Sequence, residues 1–199
     1  MTRDQVIQQS ENYIQWLDRR IDCLEVKADL RSRLAVGCLD TALEHQKAIV
    51  LLVAKQLHGS AFALVRSIFE AYVRGIWLHR CAEEADLEKV VKGHIPKFSM
   101  LLDAIERLDG FENGVLSEAK DHSWKIMNSF THTGFDQIVR RHTENTIEPN
   151  YDEEEILEVV NFANAIGSLA AIAICELAGN VELANSLLEK IKKVWPSES

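Results

Sequence analysis

Apolar residues recur along this chain at steps of three, four and seven, the spacing that gathers them on one side of a helix. Ile7, Ile14, Leu17, Ile21 and Leu24 follow that rule with Asp18, Arg19, Arg20 and Asp22 between them, which predicts a first helix over about residues 4–26 with one buried face. A second, over about residues 29–57, carries Val36, Leu39, Leu43, Val50, Val53 and Leu57 on one stripe and Cys38, Ala42, His45, Ile49 and Leu52 on another, and is expected to touch neighbours on two sides. His45 on that stripe reads as a core or interface histidine hydrogen-bonded to a neighbour. Gly59 is expected to close the second helix and Ser60 to cap a third that runs to about Ala82.

Beyond Ala82 the pattern shortens. The stretch from Glu84 to Val91 makes two turns, Gly93-His94-Ile95-Pro96 breaks the chain, and Phe98, Leu101, Leu102, Ile105 and Leu108 restart a helix that Asp109-Gly110 and Asn113-Gly114 end. A further helix is predicted from Val115 to about Phe130, then Thr133-Gly134 interrupts, with a last short turn from Gln137 to His142 and a connector to Tyr151 containing Pro149. Asn150 stands three residues before Glu153, a capping-box signature with acidic charge where the helix dipole favours it. The helix that follows has no charge from Val159 to Cys175, and Ala163, Gly167 and Ala171 repeat every four positions. That uncharged run contains Asn161, Asn164 and Ser168 and falls short of the roughly 20 predominantly apolar residues a membrane span needs, so a buried central or dimer-interface helix is expected instead. Gly179-Asn180 reads as a C-cap plus N-cap before a last helix ending in Lys190, Lys192 and Lys193, just before Pro196.

These elements predict an all-α fold. We expect one domain over residues 1–199, a bundle of four or five long helices with two or three short ones between Glu84 and His142. Only 9 Gly and 3 Pro in 199 residues agree with long uninterrupted elements. A formal charge of −9 argues against coating nucleic acid or an anionic membrane with the whole surface, and leaves room for a local basic site. Cys23, Cys38, Cys81 and Cys175 form no C-x-x-C pair and read as buried thiols of a reducing compartment, with no disulfide-linked partner. The polar opening residues have no signal-peptide character, which sets the expectation of a cytoplasmic protein without membrane partners.

The third helix carries the chemistry. Arg66, Glu70 and Arg74 sit at four-residue steps on one face, inside the otherwise apolar run from Phe62 to Trp77. Two guanidinium groups around one carboxylate make a charge ladder or a preorganised site for an anion, and each arginine has more donors than one carboxylate uses. The second constellation is Asn128-Ser129-Phe130-Thr131-His132-Thr133-Gly134, where a helix end delivers an amide, hydroxyls and an imidazole into a turn; Gly134 is expected to supply a positive φ. Arg140-Arg141-His142 reads as a solvated basic turn. Glu118 and His122 are the nearest metal-like pair and read as surface neighbours; no metal site or cofactor is expected. No Glu-x-x-His pair, phosphate-binding G-x-x-x-x-G-K-[ST] loop, G-x-G-x-x-G or G-x-S-x-G is present.

The run from Arg66 to Trp77 followed by the Asn128–Gly134 motif resembles a bacterial family of uncharacterised all-helical proteins. That resemblance implies a fold and a polar cluster, not a reaction. More distantly the arrangement is similar to the HEPN helical bundles, many of them metal-independent ribonucleases of toxin or defence systems. In those an Arg and a His four to six residues later act across a dimer, the His in proton transfer and the Arg on phosphate charge. Arg74 and His79 have that spacing, but chance alone supplies about one such match in a chain of this composition, and five helical steps turn the two side chains about 140° apart. If the chain is an enzyme, His132 is therefore the candidate acid or base and Arg66 or Arg74 the phosphate clamp, with His79 the alternative.

Three functional readings follow. The first is a ligand-binding or interaction module in which Arg66, Glu70, Arg74, Asn128, Ser129 and His132 form one polar pocket for an anionic or nucleotide-like ligand. The second is a HEPN-like ribonuclease acting on RNA. The third is a partner-binding bundle whose polar cluster only fixes helix register. The small-residue helix and the apolar first helix are candidate seams of a homodimer.

Overall fold

The computed structural model describes residues 1–195, and within residues 122–126 the backbone but not the side chains. All the regular structure of the described chain is helical, in the order α1 (Arg3–Ile21), α2 (Leu30–Ala54), α3 (His58–Arg80), α4 (Glu84–Val91), α5 (Phe98–Ile105), α6 (Val115–Thr131), α7 (Phe135–Val139), α8 (Glu153–Leu177) and α9 (Val181–Val194). The short members α4, α5 and α7 fall between Glu84 and His142 as the pattern predicts. The longer set has six members, because α6 and α9 run to 17 and 14 residues.

Local chemistry sets the starts. Thr2 and Gln5 make a reciprocal capping box on α1, and the Asp29 carboxylate accepts from the Ser32 N–H at the head of α2. At α8 the cap is Asp152, boxed with Glu155, two residues later than Asn150, because Asp152 is the residue that turns extended just before the first helical turn. The α2–α3 junction also differs from expectation. Gln56 takes the left-handed conformation (φ 59°) that closes α2, Leu57 precedes α3 without a side-chain cap, and Gly59 and Ser60 already lie inside α3. Gly59 is small for another reason: a Cβ there would meet the Tyr151 hydroxyl at 2.8 Å.

α2 and α3 form an antiparallel pair, fixed at one end by Arg31, whose Nη1 donates to the carbonyls of Leu78 (3.1 Å) and Ala82 (2.5 Å). Leu78 lies in the last turn of α3 and Ala82 just beyond its C-cap Cys81, so the guanidinium acts as a C-cap from a neighbouring helix. Farther along, Gly75 lets Leu39 approach so closely that a Cβ would lie 2.7 Å from its methyl group. α8 packs on both helices. By length and composition α8 could cross a membrane (mean hydropathy 1.6), yet 61% of that stretch is buried inside this fold. Its small-residue stripe faces inward: Ala163 and Ala171 are fully buried, and Gly167 lies against Gln46 of α2. The stripe expected as a candidate dimer seam is thus occupied within the chain.

A polar seam runs through this core. Gln46 Nε2 donates to Asn164 Oδ1 (3.1 Å), Asn164 Nδ2 donates to Ser10 Oγ (2.7 Å), and Ser168 Oγ, 2.8 Å from the Tyr13 hydroxyl, donates to the Asn164 carbonyl (2.6 Å). All five side chains are essentially inaccessible. Apolar contacts tolerate sliding, whereas this chain of directional bonds fits one register of α1, α2 and α8.

The cysteines are free thiols, but not all buried: Cys23 is exposed just beyond α1, Cys38 and Cys81 are half-buried, and Cys175 is buried. Cys23 is exposed because α1 stops at Ile21 and the backbone at Cys23 swings to φ 62°. Burial, with the Glu176 carboxylate adding, pushes the Cys175 thiol from an ordinary 9.0 up to about 11. Folding therefore favours the protonated thiol, a contribution complete below pH 9.0 and lost as the pH rises towards about 11. The expected loss is on the order of 2–3 kcal/mol, and Cys175→Ala should flatten the alkaline limb of a urea-midpoint against pH profile.

Candidate functional site

α6 packs antiparallel against α3, and the pairing brings its C-terminal turn to the charged face of α3. Thr131 Oγ1 donates to the Met127 carbonyl (2.8 Å) and lies 3.4 Å from the Ala63 carbonyl. One turn away, Arg66 Nη1 donates to Asn128 Oδ1 (2.5 Å) and stands 3.2 Å from His132 Nε2. The nitrogen has two hydrogens, one for each partner. A guanidinium only donates, so the second contact is a hydrogen bond while His132 Nε2 is unprotonated, with the ring proton on Nδ1. On the other side Arg66 Nε donates to Glu70 Oε1 (2.7 Å), and Arg74 Nη2 donates to Glu70 Oε2 (2.5 Å).

Five of the six residues read from the sequence therefore form one continuous network: His132 and Asn128 on Arg66, then Glu70, then Arg74. Glu70 is well covered, its side chain 14% exposed, while Arg66 and Arg74 are 25% and 37% exposed. Each carboxylate oxygen has its own guanidinium, which fixes both arginines along the face and leaves one excess positive charge. Among the described residues Arg74 bonds only to Glu70, and its buried Nε has no acceptor. Beside it on α2, burial raises the Cys38 thiol above its ordinary value, with Arg74 opposing.

Ser129 shares the turn but not the network, because its hydroxyl accepts from the Asp136 N–H (3.1 Å) at the start of α7. The turn is built differently from expectation. Thr133, not Gly134, is left-handed (φ 52°), and Gly134 is extended with φ −75°. Glycine is needed at 134 because a Cβ would lie 2.6 Å from Ser129 Oγ and 3.0 Å from Ser129 Cα, so backbone would have to move. This close approach presents His132, the C-cap of α6, towards Arg66.

Arg74 and His79 do not meet. His79 lies beside Arg31, Arg80 and Glu176, in a groove of about 500 Å³ at the other end of α3, and burial with the two guanidinium groups lowers its pKa. His45 is half-buried with its pKa lowered by burial, and among the described residues no hydrogen bond reaches its ring. Of the Glu118–His122 pair, the His122 side chain lies outside the described residues. Among the described residues no group of three His, Cys, Asp or Glu is placed to hold a metal ion.

Sequence reading missed a second polar cluster. Arg140 is paired with Glu155 at both oxygens (Nη1–Oε2 2.5 Å) and lies 5.8 Å from the centre of the Tyr151 ring. Arg140 is thus not solvated, whereas Arg141 and His142 of the same turn are exposed as expected. Tyr151 in turn packs at tilted ring angles among His58, Phe62 and Phe130. No spacing rule links these residues, since the contact depends on how the connector folds back.

Fold and network together define an all-helical bundle with an Arg–Glu–Arg face closed at one end by an amide and an imidazole. The chain belongs to a family of unknown function, DUF6988, whose model matches residues 39–197. Nothing matches among curated proteins or among solved structures. The matched part contains the whole network and omits α1, although α1 contributes Ser10 and Tyr13 to the buried seam.

Proposed function

We propose that the Arg66–Glu70–Arg74 face, with Asn128 and His132, binds an anionic, nucleotide-like ligand through a phosphate group. The observation that carries this reading is Arg74: a guanidinium held in place by Glu70, with a buried Nε that has no acceptor among the described residues, on a side chain 37% exposed. Anchoring one edge of a guanidinium removes its freedom in advance, so an arriving anion meets donors already aimed. The excess positive charge of the cluster favours the same guest.

A second reading has its own support in the 3.2 Å approach of His132 Nε2 to Arg66. An imidazole and a guanidinium within reach of one phosphodiester are the groups a metal-independent ribonuclease uses, the imidazole moving the proton of the ribose hydroxyl and the guanidinium meeting charge on phosphorus. This pairing departs from the HEPN spacing, since the His comes from a different helix.

One set of measurements tests both. ATP, AMP and inorganic phosphate titrated into the protein by calorimetry should show binding that Arg74→Met weakens at least tenfold. Unchanged affinity, or a variant more stable than the parent with no binding in either, would make the network purely structural. The ribonuclease reading expects cleavage of a single-stranded RNA in EDTA, abolished by His132→Ala; intact RNA would reject it and leave the binding reading standing.

A further inference from the structure

Three side chains outside the Arg66 network converge on the backbone of Gly59 at the start of α3. The Tyr151 oxygen lies 2.8 Å, and the Gln137 amide nitrogen 3.7 Å, from where a Cβ on Gly59 would stand. Gln137 Nε2 approaches the Gly59 carbonyl at 3.5 Å, and the His58 and Tyr151 rings are 5.5 Å apart. Each of the three contributes one buried atom without a hydrogen-bond partner: His58 Nδ1, Gln137 Oε1 and the Tyr151 hydroxyl. Among the described residues only two other side-chain atoms, on Gln46 and Arg74, share that condition. His58 is only 7% exposed, and the same corner holds the first turn of α3, which has no side-chain cap.

Hydrogen-bonding character limits what can fill this corner. Gln137 Oε1 only accepts, the phenol both donates and accepts, and the imidazole nitrogen does either according to its tautomer. A fully deprotonated anion has no hydrogen for Oε1. A cation would face three arginines, Arg140 over the Tyr151 ring, Arg141 beside its hydroxyl and Arg3 near His58, against two carboxylates, Glu155 and Glu153. Even where Arg141 donates to the phenol oxygen, the O–H still needs an acceptor. What remains is a neutral molecule that both donates and accepts, of which water is the smallest.

We propose that a single ordered water sits between His58 Nδ1, Gln137 Oε1 and the Tyr151 hydroxyl, and bolts α7 and the connector before α8 to the first turn of α3. Burial, reinforced by Arg3 and opposed by Glu153, keeps the imidazole below its ordinary pKa, so the ring is neutral and meets the water with either tautomer. This inference is independent of whether the Arg66 face binds anything.

A crystal structure of the full chain, at a resolution that shows ordered solvent, should contain one density peak within hydrogen-bond distance of all three atoms. Direct contact between Gln137 Oε1 and the Tyr151 hydroxyl, with no peak between them, overturns the proposal. Urea unfolding of Tyr151→Phe, Gln137→Leu and the double variant supplies a second readout, both substitutions keeping bulk and ring packing. A shared water makes the second substitution cost much less than the first, and strict additivity would speak against it.

Discussion

Gly167→Ala is expected to lower stability by about 3 kcal/mol, moving the thermal midpoint down by roughly 6–12 °C for a chain of this size. The new Cβ would lie 2.0 Å from Gln46 Oε1 and 2.3 Å from its Cδ. Ordinarily a glutamine side chain swings away cheaply. Here Gln46 is fully buried and its Nε2 is spent on Asn164, which is in turn bonded to Ser10. Moving the amide breaks that bond and leaves buried polar atoms without partners, each costing about 1–3 kcal/mol. Urea titration of Gly167→Ala and of Gly167→Ala combined with Gln46→Ala provides the check. The second substitution relieves the clash but still strands Asn164, so it should recover only part of the loss. A single variant within about 0.5 kcal/mol of the parent, the scatter of a neutral surface change, would mean that the seam is soft.

Glu70→Gln should cost about 2 kcal/mol, less than a fully buried pair would because both guanidinium groups remain partly in water. It keeps the shape of the side chain while removing the charge that separates Arg66 from Arg74. The informative part is the sign of the response to anions. With the internal carboxylate neutralised, the two guanidinium groups should recruit an external anion, so added phosphate should stabilise Glu70→Gln by more than it stabilises the parent chain, following the logarithm of ligand concentration over Kd. Melting curves across a phosphate series, with chloride at matched ionic strength as control, read this directly. Equal shifts in both proteins would show that the face does not hold anions.

How much the sequence revealed depended on whether a feature lies within one helix or between two. The face of α3 was legible because three charges at four-residue steps in apolar surroundings are a local signal. Asn128 and His132, also four apart, belonged to a motif on the right helix end, and only the antiparallel packing of α6 showed that they meet Arg66. α4 came out at its predicted limits because a break rich in Gly and Pro follows it. Caps were less legible where two candidates compete: Asn150 and Asp152 both suit the head of α8, and Ser60 lost to an uncapped start at His58 because left-handed Gln56 had already turned the chain. Ser129 looked like a site group from its neighbours alone, yet its hydroxyl is committed to the α7 backbone. Arg140 looked solvated, since Glu155 lies fifteen residues away across a connector.

The buried seam links a segment outside the DUF6988 match to one inside it. A chain trimmed to begin at Leu30 would keep every residue of the Arg66 network yet uncover Asn164 and Ser168 along a greasy trough on α8 once filled by α1. Hydration could satisfy the amide and the hydroxyl but not the surrounding alanines and isoleucines, so the shortened protein would gain a self-adhesive flank. Any relative that dispenses with this leading helix would have to repaint that flank, trading buried alanine and isoleucine for charged or hydrated side chains.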